Sequence, residues 1–205
     1  MHQHQALKKF LGMIFWVSLL ATGCAKPYHF YVRYDLPEPS SAPASHQINL
    51  QIHDQRPETD FLTAKARAEF DRWDGNFALY HGSEKPEGDT QTYSLSGVIK
   101  AAMQKRLHSM GIEVLEDQTA GVPLLEITLQ AFQLDLKNRT WVSELSYEVR
   151  LTSGNPKTGL EKVSAKGERT KIMGRGAGEV LVGDIFTESI NKLDIEKLFK
   201  NAGLS

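Results

Sequence analysis

Apolar and polar residues alternate with a period of two over several stretches of this chain. Ile48, Leu50 and Ile52 alternate with Asn49, Gln51 and His53, which predicts a half-buried strand closing at Asp54-Gln55-Arg56-Pro57. The strongest alternation is Leu125, Ile127, Leu129 and Ala131, after which the phase slips and Phe132, Leu134 and Leu136 carry it on. A one-residue slip turns every following side chain to the other face, so a β-bulge near Ala131-Phe132 is required to keep one face buried. Asn138-Arg139 reads as a turn, and Val142, Leu145, Tyr147, Val149 and Leu151 as the return strand. Glycine, asparagine and proline over residues 154–159 turn the chain again, into a more polar strand over 163–167.

Between these strands the spacing changes. Leu95, Val98, Ala102 and Leu107, with Ile99, Met103 and Met110, form the apolar face of a helix from about Ser94 to Ser109, and Gly111 is placed to stop it. Ile112, Val114 and Leu115 begin a strand. Gly174, Gly176 and Gly178 lead into a final helix carrying Val180, Leu181, Ile185, Ile190, Leu193 and Leu198. Residues 62–80 are readable two ways. Leu62, Ala66, Phe70 and Trp73 fall near one helical face, but Leu62, Ala64, Ala66, Ala68 and Phe70 also alternate strictly with polar residues. With Asp74-Gly75 as a turn signal before Phe77-Ala78-Leu79-Tyr80, the expectation is a β-hairpin. The sum is an α+β domain, a mostly antiparallel sheet with two helices on one face.

Ahead of the body lie His2, His4, Lys8 and Lys9, then an apolar run from Phe10 to Ala21, then Thr22, Gly23 and Cys24. This is the charged and apolar order of a secretion signal. As a helix the apolar run rises only about 18 Å, short of a hydrocarbon core of about 30 Å. The single cysteine of the chain follows Leu20-Ala21-Thr22-Gly23, a context that resembles a bacterial lipobox, in which the thiol receives a diacylglycerol. Ala21 stands where leucine is favoured, and Ala21-Thr22-Gly23 also reads as an ordinary small-x-small cleavage site. Ala25 is not the aspartate that retains such proteins at the inner membrane, which favours the outer one. The expected division is residues 1–23 as signal, 24–45 as lipidated tether rich in proline and serine, and 46–205 as one periplasmic domain. The stretch from Cys24 to His46 would reach about 70 Å if fully extended. Within it, Tyr28-His29-Phe30-Tyr31-Val32-Arg33-Tyr34 reads equally as rings at a membrane interface or as a short strand on the domain.

Charge and cysteine count exclude several classes. Loss of Lys8 and Lys9 with the signal moves the formal charge from −1 to about −3, without the basic face a nucleic-acid binder needs. One cysteine excludes an intrachain disulfide or a zinc–cysteine scaffold.

Candidate chemistry is sparse. Gly174-Arg175-Gly176-Ala177-Gly178 at a helix start resembles a phosphate cradle, but Glu179, Leu181 and Asp184 stand where the dinucleotide and P-loop patterns need other residues. A strand-to-helix connection is the better reading. The seven histidines are scattered without metal-ligand spacing. Ser94 and Ser96 are placed as helix caps, and Glu126 and Glu144 as solvated carboxylates on the polar phase of strands. Asp54 and Arg56 form the most suggestive polar pair, as a charge-assisted pin on the following loop or as a partner contact. No catalytic, cofactor or metal site is expected, and the chain is read as a non-enzyme.

The order of these motifs resembles the YajG-like lipoproteins of Gram-negative bacteria over about residues 46–199. The likeness rests on Cys24 and its signal, the strand into Asp54-Gln55-Arg56, and Lys105-Arg106-Leu107-His108-Ser109-Met110-Gly111 before Ile112-Glu113-Val114. The long strand from Leu124 and the closing Asp194-Ile195-Glu196-Lys197-Leu198-Phe199 complete it. The resemblance implies an outer-membrane lipoprotein facing the periplasm, without implying catalytic residues. The expected role is an interaction or scaffold lipoprotein that binds an envelope protein or other envelope component. The alternative is an accessory lipoprotein of lipid or lipopolysaccharide transport.

Overall fold

The computed structural model describes residues 28–38, 46–82, 84–86, 90–154 and 156–204. The signal segment, Cys24 and residues 39–45 of the linker lie outside the described residues. Twelve elements follow in chain order among those described. They are β1 (Tyr28–Arg33), β2 (His46–Asp54), α1 (Ala64–Glu69), β3 (Trp73–Tyr80), β4 (Thr92–Tyr93), α2 (Leu95–Ser109), β5 (Ile112–Leu115), β6 (Leu124–Lys137), β7 (Thr140–Thr152), β8 (Thr158–Thr170), α3 (Gly176–Lys192) and α4 (Ile195–Asn201).

The strands form two sheets rather than one: β5-β2-β6-β7-β8 and the smaller β1-β3-β4. By length the pairing is mostly antiparallel, through β6–β7 and β7–β8. The parallel pairs were not expected: β2 runs parallel to both β5 and β6, and β1 to β3. α2 lies against β2 and β5, and α3 against β7 and β8, covering one face of the larger sheet.

The phase slip in β6 is a bulge. Its register against β7 breaks between Leu129 and Ala131, leaving Gln130 exposed. Leu125, Ile127 and Leu129 before it, and Phe132 and Leu134 after it, all point into the core. Asn138 closes the β6–β7 turn with φ 58°, the left-handed conformation that asparagine tolerates. α2 begins at an Ser94 N-cap, whose hydroxyl accepts the Gly97 N–H at 3.2 Å, and is followed by Gly111 at φ 73°.

Residues 62–70 are not the first arm of a hairpin. Thr63 caps α1, accepting the Ala66 N–H, and Leu62, Ala66 and Phe70 are buried while Ala64 and Ala68 are exposed. The helical spacing of four therefore decides the segment. The C-terminal helix is also two helices: Leu193 turns extended, and Asp194 caps α4 by accepting the Lys197 N–H at 2.9 Å. α3 buries Leu181, Val182, Ile185, Phe186, Ser189 and Ile190, a stripe two residues wide at helical spacing.

The aromatic stretch after Cys24 is a strand of the body. Phe30 and Val32 are fully buried and Tyr34 is 2% exposed. Phe61 touches Phe30, Phe77 and Phe132 with ring centroids 4.9–5.1 Å apart, so one aromatic cluster joins the small sheet to β6. Such edge-on pairs add about 1 kcal/mol each beyond area burial. Behind β1, the Thr187 hydroxyl donates to the Arg33 carbonyl at 3.1 Å and the Asn191 amide to the Asp35 carbonyl at 2.9 Å. A β-carbon on Gly183 would meet the Arg33 backbone nitrogen at 3.2 Å, so α3 and β1 lie nearly backbone to backbone.

Candidate functional site

Asp54 and Arg56 stand at the end of β2, where the bulge interrupts the edge of β6. The last ladder bond there is the Gln55 N–H to the Leu129 carbonyl at 3.0 Å, and pairing resumes with the Thr63 N–H on the Leu134 carbonyl at 3.1 Å. Between them Arg56 donates from Nη1 to the Phe132 carbonyl at 3.2 Å, supplying a donor where no strand residue is in register. Nε and Nη2 fork onto both Asp54 carboxylate oxygens at 2.9 and 2.8 Å, and Nη2 also donates to the Thr59 carbonyl at 2.8 Å. The fork is the strong geometry for such a pair. Hydrogen bonding from Arg56 holds the Asp54 carboxyl below its ordinary value. The Arg56 side chain is 5% exposed, while the Asp54 carboxylate that it holds stays about one third exposed, at 34%.

Beside this pair, the outer face of the large sheet is polar. His53, Gln55, Glu126, Thr128, Gln130, Glu148 and Arg150 line a shallow concavity on it. Several carboxylates of this face have a basic side chain beside them: Glu126 faces His53 at 3.7 Å, Glu148 faces Lys162 at 3.3 Å and Arg150 at 3.8 Å, and Glu144 faces Lys166 at 3.8 Å. Exposed pairs of this kind contribute little to stability, roughly 0–1 kcal/mol. What they do is present alternating charge over three strands.

Packing and charge oppose an anion cradle at the glycine turn before α3. Gly178 is committed to packing against the Trp141 ring, and Arg175, at the N-cap, makes no side-chain capping bond. The first turn carries its own carboxylate, Glu179, which is 7% exposed. It accepts the Tyr28 hydroxyl and the Lys85 ammonium, with Arg175 Nε at 3.6 Å. Burial pushes the Glu179 carboxyl up to about 7, and burial followed by the charge of Arg175 lowers Lys85. Sequence reasoning passed over this cluster; its one trace was an acid within an otherwise apolar helix face.

Arg106 is a second buried charge without a carboxylate partner in hydrogen-bond contact. Its guanidinium donates to the Ile190 carbonyl and to the Leu193 carbonyl, the latter at 2.6 Å. These are acceptors left open at the C-terminal end of α3, where the helix dipole favours a cation. Arg106 also forms part of the floor of a groove of about 340 Å³ rimmed by Glu38, Asp194 and Glu196. Among the described residues no group of three or more histidine, cysteine, aspartate or glutamate side chains is placed to hold a metal ion.

No family model matches the chain, and no curated protein matches it. Solved structures do. The chain is similar to protein XCC0632 from Xanthomonas campestris at 10% identity and a TM-score of 0.52, covering 84% of this chain and 96% of that one. It is also similar to the rare lipoprotein B from Shewanella oneidensis at 12% identity and a TM-score of 0.39, covering 76% and 98%. A minor lipoprotein from Acinetobacter baumannii aligns at 11% identity and a TM-score of 0.37, covering 75% and 96%. At these identities the likeness to XCC0632 is one of fold, and the other two are looser.

Proposed function

We propose that this chain is a lipid-anchored envelope protein of YajG-like type, a non-enzymatic interaction or scaffold lipoprotein at the outer membrane facing the periplasm. The observation that carries the reading is Cys24, the only cysteine, set directly after an apolar segment and the small residues Ala21, Thr22 and Gly23. A diacylglycerol with an amide-linked chain supplies the two or more acyl chains that stable anchoring needs. The partner surface in this reading is the charged outer face of β6, β7 and β8 with the neighbouring Asp54–Arg56 loop, and the partner is an envelope protein or polymer of complementary charge.

The test has two parts. Cys24→Ala is expected to move the protein from the membrane fraction to the soluble periplasm; unchanged fractionation overturns the anchor. In vivo crosslinking from the Glu148 position is expected to capture one envelope component, and capture of nothing overturns the interaction role. Lipid transport calls for a lipid-sized apolar groove. The sheet-face concavity is lined by polar and charged side chains, and the Arg106 groove mixes Met110, Leu193 and Ile195 with Glu38, Asp194 and Glu196, so neither is the apolar groove that second reading needs.

A further inference from the structure

Tyr28 begins β1, and only Ala25, Lys26 and Pro27 separate it from Cys24. Four residue steps span at most about 14 Å. Because β1 is built into the core, an acyl group on Cys24 would hold the body itself against the bilayer, at the end of the molecule where Tyr28 sits.

That end carries an exposed apolar tip. Ile172 and Met173, in the connection between β8 and α3, are 80% and 85% exposed, the highest values of the large exposed hydrophobic residues. The connection leads to the Tyr28 end of the molecule: Arg175, two residues beyond Met173, stacks over the Tyr28 ring at 3.8 Å. The connection is held from both sides. The Lys171 N–H donates to the Arg139 carbonyl at 2.8 Å, and its ammonium pairs with Glu69 at 2.5 Å. Arg72, whose carbonyl accepts the Tyr28 N–H at 3.0 Å, and Arg139 are exposed at the same end. The acids there include Glu69, paired to Lys171, Asp74, 2.7 Å from His29, exposed Asp71, and Glu179, buried within its cluster.

We propose that the tip formed by residues 171–175 enters the headgroup region of the phospholipid leaflet that receives the Cys24 lipid, so that the body is docked in one orientation and does not swing on a long tether. This rests on the lipid anchor of the proposed function. Adjacent apolar side chains with exposed arginines nearby match the chemistry of that interface: hydrocarbon for Ile172 and Met173, anionic headgroups for Arg139 and Arg72. The polar outer face of the sheet is left free for a partner.

The experiment uses full-length protein purified from membranes and reconstituted in vesicles of phosphatidylethanolamine and phosphatidylglycerol. Met173→Cys and Leu160→Cys are each labelled with an environment-sensitive fluorophore; an acylated Cys24 has no free thiol to compete. Leu160 is exposed and lies ten residues back along β8 from Thr170, about 33 Å at strand rise. The expected result is a blue shift at position 173 with loss of emission to doxyl-labelled lipids, and neither change at 160. Acylated, vesicle-bound protein with no quenching at 173, or with equal quenching at both positions, overturns the docked orientation while leaving the anchor standing. Mass spectrometry showing no lipid on Cys24 overturns both.

Discussion

Gly178 of α3 lies flat against Trp141 of β7: a β-carbon at position 178 would stand 3.0 Å from the indole ring. Trp141 is fully buried, with Gly178 on one side and the Phe70 ring 5.7 Å away on another. The ring has little room to yield. Gly176, one turn-half earlier, would meet nothing within 4 Å. The two glycines share a motif and a helix, but packing requires glycine only at position 178.

Gly178→Ala is therefore expected to destabilise the protein by about 1–3 kcal/mol through overpacking, even though alanine gains up to about 1 kcal/mol of helix propensity over glycine. Gly176→Ala is expected to be neutral or slightly stabilising. Urea denaturation of the two variants decides between packing and an anion-binding role. A cradle that used both backbones would make them similar, and phosphate would stabilise the parent chain.

The Asp54–Arg56 fork predicts a graded response. Arg56→Ala leaves the Phe132 and Thr59 carbonyls without their donor and Asp54 without its cation, with an expected loss of about 2–3 kcal/mol. Arg56→Lys keeps the charge but cannot fork, so it should fall between. Because Asp54 is held below its ordinary value, its contribution is present above the unfolded carboxyl value near 3.8 and lost as pH falls through the folded one. Acid unfolding of Asp54→Asn should show a smaller pH dependence below about pH 4 than the parent. Equal slopes would mean the fork is not formed in solution.

Glu179 has the opposite sign. Its folded value is raised to about 7 from an ordinary 4.5, so the folded state holds a proton that the unfolded state has released. The group's contribution is fully present below about pH 4.5 and is lost as pH rises to about 7. Glu179→Gln keeps an acceptor for Tyr28 and has no proton to lose. The parent is expected to be less stable at pH 7.5 than at pH 5.5 by at most about 3 kcal/mol, and the variant to lose most of that difference. Guanidinium melts at the two pH values check it, and identical pH profiles for parent and variant would refute it.

How far the sequence could be read depended on what each element is made of. The bulge in β6 was legible because bulky residues on both sides of Gln130 need the same face. α1 was misread because its helical positions 62, 66 and 70 are also members of the alternating set. Alanine is too small at 64 and 68 to reveal exposure in sequence. The parallel placement of β2 between β5 and β6 leaves no trace in a period of two, which is the same for either direction. The Glu179 cluster was illegible for another reason: its partners Tyr28 and Lys85 lie 151 and 94 residues away in sequence. Arg56 was within reach, since its partner is two residues away, but its role beside the bulge required the register of β6.

The folded unit begins well before His46. Composition placed the start near His46, because residues 36–45 read as linker. The packing places three anchors earlier, in Phe30, Val32 and Tyr34, each at most 2% exposed. Burial of side chains of this size is worth about 2 kcal/mol apiece, and their sum rivals the 5–15 kcal/mol that holds a typical domain folded. A chain starting at His46 would also leave the β3 edge unpaired and bare the α3 surface around Gly183, where β1 now lies. Such a chain is expected to lose its cooperative thermal transition and to bind hydrophobic dyes. One starting at Cys24 should melt like the mature protein. A sharp, parent-like melt from the shorter chain would show that β1 is an attached strap and not part of the core.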